Sequence, residues 1–250
     1  MSARGERRWG LPLALTALWQ IVASTAWGHS RSIATPVSVL REGVNGACDG
    51  TLALDAGYTL ARVLAGVSLA TLFGAGVAFM LGARPGLWRA AEPTVDFLRS
   101  IPPVLVYPLL LLVFGYNDLA RVAAVAFGAC GAVLLPVAAA LARTPTERRD
   151  IARLAGLRGW DELRFLWAPE ALPALCTGMR LALAQALVVS VVTEMLIGAN
   201  HGLGVRALTA LQEYQSARLW LVVLVAGGAS VALNAAVGVV ERHLVRWAVR

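Results

Sequence analysis

The residues that could carry chemistry lie in two places of an otherwise apolar chain. One is the polar segment Thr144–Pro173, which holds five acids and, counted from Arg143, six arginines. The other is Glu194, an acid within an apolar run, with Arg62 in an earlier run. An acid inside a membrane span costs roughly 2.5–3.5 kcal/mol on insertion scales, so it usually faces a partner or a water-filled cavity. Charged docking and buried ion pairing are therefore the chemistries to consider.

The polar segment predicts a helix that ends at a glycine corner. Thr144 is a candidate N-cap, Pro145 suits the first helical position, and Glu147 stands where a capping-box carboxylate reaches back. The helix is expected to end at Gly156, since glycine readily takes the left-handed conformation that terminates helices.

A second short helix is expected after this corner. Trp160, Leu163 and Trp167 have spacings that gather them on one face. Pro169 and Pro173 are expected to stop this helix. Helix, corner, helix and proline exit would form a rigid projection suited to a groove on another protein.

The composition predicts an all-α, polytopic membrane protein. Hydrophobic residues make up 58% of the 250 residues, charged residues 15%, and the mean hydropathy is +0.67. The net charge is +7, all of the basic residues that contribute to it are arginines, and these arginines lie between apolar runs. The charge therefore indicates membrane topology rather than nucleic-acid binding. We treat residues 1–250 as one transmembrane domain with its core at 55–245.

Apolar windows of about 17–25 residues predict six transmembrane helices. The windows are Leu11–Trp27, Thr59–Gly82, Ile101–Gly115, Ala120–Leu141, Leu175–Gly198 and Leu219–Val240. Arginines cluster before the first window, between the second and third, in the polar segment and in the tail, so these regions and both termini are predicted to be cytoplasmic. Cleavage of the first window as a signal peptide is an alternative, although its length favours a retained span. The prolines of the third window predict a kink at its inner end.

Several motifs, in order along about four-fifths of the chain, resemble the permeases of ABC importers. The polar segment is similar to their cytoplasmic "EAA" loop in the run Asp150–Gly156 and in the proline exit. Asp150 and Ile151 replace the family's Glu and first Ala. Further similar pieces are Ala34-Thr-Pro36, Thr59–Gly66, Leu98–Pro103, Glu194–Gly198 with Gly202-Leu-Gly204, and Glu241–Trp247. The branch that these pieces resemble imports nitrate, taurine, alkanesulfonates, bicarbonate and vitamin precursors.

The resemblance implies the type I ABC importer permease fold in a bacterial inner membrane. It implies that two copies form the solute pathway, that a cytosolic ATPase dimer binds ATP and Mg, and that an extracytoplasmic binding protein delivers the solute, here a small anion or organic solute. No cofactor is expected in this chain. The loop 144–173 is implied to contact the ATPase, and the residues matched for this role are Asp150, Ile151, Ala152, Gly156 and Leu157.

Two interpretations of Glu194 and Arg62 stay open. They could lie in the pathway or its gate, where Arg62, near the outer end, could attract anions. Alternatively, Glu194 pairs with an arginine such as Arg62 or ties down the loop Gly198–Gly204. A bare carboxylate would repel an anionic solute, which favours a structural or gating role for Glu194.

Other functional classes find less support in the sequence. No phosphate-binding GxxxxGK[ST] loop occurs, so the chain is not expected to hydrolyse ATP, and no enzyme activity is expected. The three cysteines lack metal-ligand spacing. A six-span secondary carrier or a membrane scaffold without an ATPase is the alternative. Carriers usually show intramembrane ionisable pairs and internal repeats, and this sequence has few of the former and no evident repeat.

Overall fold

The computed structural model describes residues 3–25, 33–82, 84–196 and 199–244, and all regular structure in these residues is helical. A π-helical turn spans Leu163–Trp167, between the helical segments Trp160–Glu162 and Ala168–Leu196. The helices in chain order are α1 (Ala3–Ser24), α2 (Pro36–Cys48), α3 (Thr51–Gly82), α4 (Pro85–Ser100), α5 (Pro103–Phe114), α6 (Asp118–Ala142), α7 (Thr146–Leu154), α8 (Trp160–Glu162), α9 (Ala168–Leu196), α10 (Leu203–Gln212) and α11 (Ser216–Leu244). The predicted all-α fold is confirmed.

Four stretches of the described residues are long and apolar enough to cross a membrane. They are α3, α6, the run Trp160–Leu196 and α11, and the α4–α5 pair supplies a fifth crossing if its bent halves count as one. The first predicted window overlaps only a short apolar stretch, Ala14–Ser24, and its end at Trp27 lies outside the described residues, as does Gly198 of the fifth. The described residues therefore support four or five spans, and the predicted count of six is not confirmed.

The α4–α5 pair is bent by 87°, at the inner end of the third predicted window. Ile101 is extended, with ψ at 120°, because a residue before a proline is disfavoured in the helical conformation. Pro102 also lies outside the helices, and Pro103 opens α5, where a missing N–H costs nothing. The predicted kink is thus a complete break between two helices.

The centre of the bundle is a close packing of α3, α6 and α9 through small residues. A Cβ built on Gly74 of α3 would lie 3.0 Å from the Cys130 carbonyl oxygen of α6. A Cβ built on Gly178 of α9 would lie 3.0 Å from the Ala132 carbonyl oxygen. Small residues let helix backbones approach closely in lipid, where association depends on packing. Gly74 and Gly178 therefore serve packing within the chain.

The polar segment begins its helix later than predicted. α7 starts at Thr146, and Pro145 takes the N-cap position with ψ at 142°. Thr144 is buried and its hydroxyl has no hydrogen-bond partner among the residues that the structure describes, so the predicted capping box is wrong. The extended backbone at Pro145 places its own carbonyl, rather than the Thr144 side chain, at the start of the helix, where it accepts from the Arg149 N–H at 3.4 Å.

The prediction that Pro169 and Pro173 end the second helix is also wrong, because the chain continues as helix through both prolines. Pro169 is the second residue of α9, directly after the π-helical turn, and Pro173 lies inside the helix. The π-helical turn before them absorbs the change of register, with the Ala168 N–H bonded to the Leu163 carbonyl. One continuous helical path therefore runs from Trp160 to Leu196.

Candidate functional site

α7 presents two faces at one end of the bundle. Leu154 is 89% exposed and Ile151 64% exposed, whereas Ala152 between them is 4% exposed and belongs to the core. Residues three apart share a helix face, so Ile151 and Leu154 form one apolar patch on an otherwise charged helix. An exposed apolar patch rimmed by charges is typical of a protein contact surface.

The residues matched for ATPase contact divide between these faces. Asp150, Ile151 and Gly156 lie on the exposed surface. Ala152 and the half-buried Leu157 pack against the bundle instead. The role of all five stays a prediction. Leu154 is not among the residues predicted from the sequence, although its spacing from Ile151 on a polar helix could have indicated it.

Gly156 forms the corner after α7 as predicted. Its φ is +72°, and its N–H donates to the Arg153 carbonyl at 3.0 Å. The next N–H, of Leu157, donates to the Ala152 carbonyl, also at 3.0 Å. These bonds close the end of the helix in the pattern that requires a left-handed residue. Gly159, with φ at +57°, makes a second turn before α8.

Two arginines of α7 attach it to the ends of α6 and α9. Arg149 donates from Nη2 to the Leu141 carbonyl of α6 at 3.0 Å, and its guanidinium lies 5.2 Å from the ring centre of the buried Trp167. Arg148 pairs with Glu170 in the first turn of α9. These contacts, which the sequence analysis missed, join α7 to both helices that leave this end of the bundle.

Glu194 lies near the opposite end of α9 and is 1% exposed. Its carboxylate accepts hydrogen bonds from Arg62 Nη1 at 2.7 Å and from the Thr59 hydroxyl at 2.9 Å. It also accepts from the Gly204 backbone N–H at 2.9 Å and the Ser190 hydroxyl at 3.3 Å. A carboxylate has about four acceptor positions, so this one is fully used.

Arg62 extends this network to α6 and to the loop before α10. Its Nε donates to Asp118 at 3.0 Å, and its Nη1 donates to the His201 backbone carbonyl at 2.8 Å. Asp55 accepts from the Gly202 N–H at 3.1 Å and from Arg206 at 3.0 Å. The network therefore fastens α3, α6, α9 and the loop 199–202 to one another.

The glycines of this loop permit the close approach of its backbone to the carboxylate. A Cβ built on Gly202 would lie 2.5 Å from Glu194 Oε2, and Gly202 has φ at +146°. A Cβ on Gly204 would lie 2.6 Å from Glu194 Cβ. The geometry thus shows the pairing with Arg62 and the anchoring of the glycine-rich loop, of which Gly198 lies outside the described residues. A pathway or gating role for Arg62 and Glu194 stays a prediction.

One family of known proteins matches the part of the chain that holds both α7 and the Glu194 network. The family described as "binding-protein-dependent transport system inner membrane component" matches residues 57–250, a range that includes Arg62, α7 and Glu194. The chain belongs to this family. It is a transmembrane permease subunit of an ABC importer, as the ordered motifs predicted.

Relatives of this permease align over most of its length. The bicarbonate transport system permease protein CmpB of Synechococcus elongatus is 26% identical over 251 residues, which cover 94% of this chain and 89% of that protein. The taurine transport system permease protein TauC of Escherichia coli (strain K12) is 28% identical over 204 residues, 78% of this chain and 72% of that protein.

A solved structure supports the same assignment. A chain of the MetNI methionine ABC transporter, in an inward-facing conformation, superposes with a TM-score of 0.57 at 25% identity. The match covers 72% of this permease and 93% of that chain. The helical bundle described above is therefore the fold of ABC importer permeases.

Proposed function

We propose that this permease imports a small anion or organic solute, such as a sulfonate, taurine or nitrate, across the bacterial inner membrane. The relatives named for taurine and bicarbonate support this class of solute. Two copies would form the pathway between them, with residues 1–250 as a single transmembrane domain. Arginine placement supports cytoplasmic termini and a cytoplasmic α7.

The observation that carries this proposal is the apolar patch on α7. Ile151 and Leu154 are exposed on a helix whose other face is anchored to α6 and α9 by Arg148 and Arg149. A patch of this kind fits a groove on a cytosolic ATPase, and its anchoring would carry movement into the bundle. The permease would thus hydrolyse no ATP itself, since ATP and Mg would bind to the partner ATPase dimer.

The continuous helical path between α7 and the Glu194 network supports an alternating-access mechanism. Closure of the ATPase pair upon ATP binding would bring the two α7 helices together, and ATP must favour that state differentially. Glu170 and Glu194 lie about 36 Å apart along α9 at 1.5 Å per residue. Movement at the α7 end would therefore reach the Glu194 network. That network would lie near the extracytoplasmic side, from which a binding protein delivers the solute.

Purification of the full permease with its cognate ATPase tests this proposal. Leu154→Asp and Ile151→Asp are expected to reduce co-purified ATPase by tenfold or more, because each places a charge in the apolar contact. Tyr214→Asp is the matched control, since Tyr214 is equally exposed but lies between α10 and α11 at the other end. Retention of the ATPase by both α7 variants would show that the apolar patch is not the contact surface. Absence of any ATPase from the wild-type complex would favour a carrier or scaffold without an ATPase instead.

A further inference from the structure

A cavity of about 330 Å³ lies where the α4–α5 break faces α6 and α9. Its polar lining consists of Arg99 from the last turn of α4 and Gln185 from α9. The remaining lining includes Ile101 and Pro103 at the break and Gly131 on α6. This volume is within the range of small-molecule sites, near its lower end.

Both polar side chains lie near the middle of the membrane-crossing helices. A Cβ built on Gly131 would lie 3.4 Å from Arg99 Cβ, and Gly131 is midway along α6. At 1.5 Å per residue, this level is about 20 Å from the start of α6. Gln185 lies near the middle of α9. The break between α4 and α5 therefore brings Arg99 to the level of the middle of α6, whereas the sequence predicted a cytoplasmic loop for it.

The donors of these two side chains are largely uncommitted. Arg99 uses Nε for Asp96, at 2.8 Å, on its own helix. Within residues 84–196, all of which the structure describes, neither Nη group of Arg99 and no atom of the Gln185 amide makes a hydrogen bond. Both side chains are exposed in the single chain. Two sets of donors are thus free at one cavity.

Lipid is a poor environment for this surface. An arginine at the centre of a span costs roughly 2.5–3.5 kcal/mol on insertion scales, and an amide without partners in hydrocarbon adds several more. Leu181 and Val188 flank Gln185 on the same exposed face of α9, so no headgroup layer lies beside it. These costs vanish if the face lines an aqueous pathway.

We propose that this cavity is a binding subsite for the anionic group of the imported solute. The Arg99 Nη groups would hold two oxygens of a sulfonate, nitrate or carboxylate, and the Gln185 amide would donate from the other side. Asp96 would keep Nε occupied and fix the guanidinium. The inference rests on the proposed function, because it requires that the face of α9 with Gln185 lines the pathway.

Cysteine reactivity tests the site without knowledge of the solute. Gln185→Cys is introduced into a chain whose native thiols are replaced, as Cys48→Ser, Cys130→Ala and Cys176→Ala, and is expressed with the ATPase and binding protein. The probes are 2-sulfonatoethyl methanethiosulfonate, an anion, and its trimethylammonium analogue, a cation. Val231→Cys is the control, since Val231 is exposed at the middle of α11 among apolar residues.

The expected result is that the thiol at 185 reacts with both probes and the thiol at 231 with neither. After correction for intrinsic reactivity, the anion is expected to react at least about threefold faster than the cation. The unit charge of Arg99 a few ångströms away is worth about 1 kcal/mol in water, and Asp96 offsets part of it. Arg99→Gln should abolish this preference and Arg99→Lys should keep it.

Two results would overturn the inference. One is equal reactivity at positions 185 and 231, and the other is an anion preference that survives Arg99→Gln. Co-purification of the ATPase from the same membranes reports separately on the proposed function. A complex that retains its ATPase while the thiol at 185 does not react would contradict the subsite alone.

Discussion

Glu194 shows how this chain keeps a charge inside an apolar bundle. Its carboxylate is fully hydrogen-bonded, and Arg62 also bonds to Asp118 and to the loop before α10. A buried ion pair can contribute little net stability, yet the loss of one partner leaves the other charge buried without compensation. We therefore expect the pair to be far more sensitive to single substitutions than to joint replacement.

Glu194→Leu and Arg62→Met are each expected to destabilise the permease by about 3–5 kcal/mol, and the double variant by less than their sum. The measurement is the thermal midpoint of the detergent-purified complex, determined by fluorescence-detected size exclusion. Arg180→Met and Glu241→Leu form the control cycle, because that ion pair is partly exposed and worth about 0–1 kcal/mol. Strict additivity at Arg62 and Glu194 would contradict the account.

The sequence indicates this pair but not the network around it. An acid in an apolar run demands a partner, and Arg62 is one of few candidates, so the pairing could be predicted. Thr59 and the Gly204 N–H could not be identified, because their contacts join residues more than a hundred positions apart or depend on the path of a loop. Which helix faces meet is decided by packing, and a single sequence does not contain that information directly.

At the level of elements, the glycine corner was predictable and the helix boundaries were not. Gly156 has the positive φ that its position after a polar helix indicates. The continuation through Pro169 and Pro173 was missed because a π-helical turn supplies an i→i−5 bond just before them. Proline is a reliable breaker only where the helix depends on the N–H that it lacks.

Gly156→Val is expected to leave the permease inserted and to uncouple ATP hydrolysis from uptake. A β-branched residue at φ +72° is strained by about 1–2 kcal/mol, which would reorient α7 relative to the turn after it. Uptake per ATP hydrolysed in proteoliposomes is the measurement. Gly57→Val is the control, since Gly57 lies in helix α3 with open space beside it. Normal coupling in the Gly156 variant would count against the corner as a transmitting element.

Gly74→Leu is expected to reduce the yield of folded permease severely, whereas Gly76→Leu on the same helix should be tolerated. A side chain at 74 would meet the backbone of α6 at 3.0 Å, and backbone cannot move aside without displacing the helix. Apart from the nearby backbone of α3 itself, no described atom lies within 4 Å of a Cβ built at 76. Yield of monodisperse protein after size exclusion is the readout, and equal yields would show that α3 and α6 are not packed as described.

On the scale of the whole molecule, hydropathy identified the main crossings, and the predicted count of six is not confirmed by the described residues. The windows for α3, α6, α9 and α11 correspond to helices that can span, while the third became a bent pair and the first a short apolar stretch. Window averages measure composition, whereas crossing depends on uninterrupted helical length. The link between α7 and the Glu194 network also appears only in the whole fold, because one helical path connects them.

We propose that the exposed face of α7 is held by the ATPase. A photo-cross-linking amino acid at position 154, in the assembled importer in native membranes, tests it directly, with position 152 as the matched site on the buried face. We expect an ATPase adduct from 154 and none from 152. Absence of an ATPase adduct from 154, or adducts of equal yield from both positions, would contradict it.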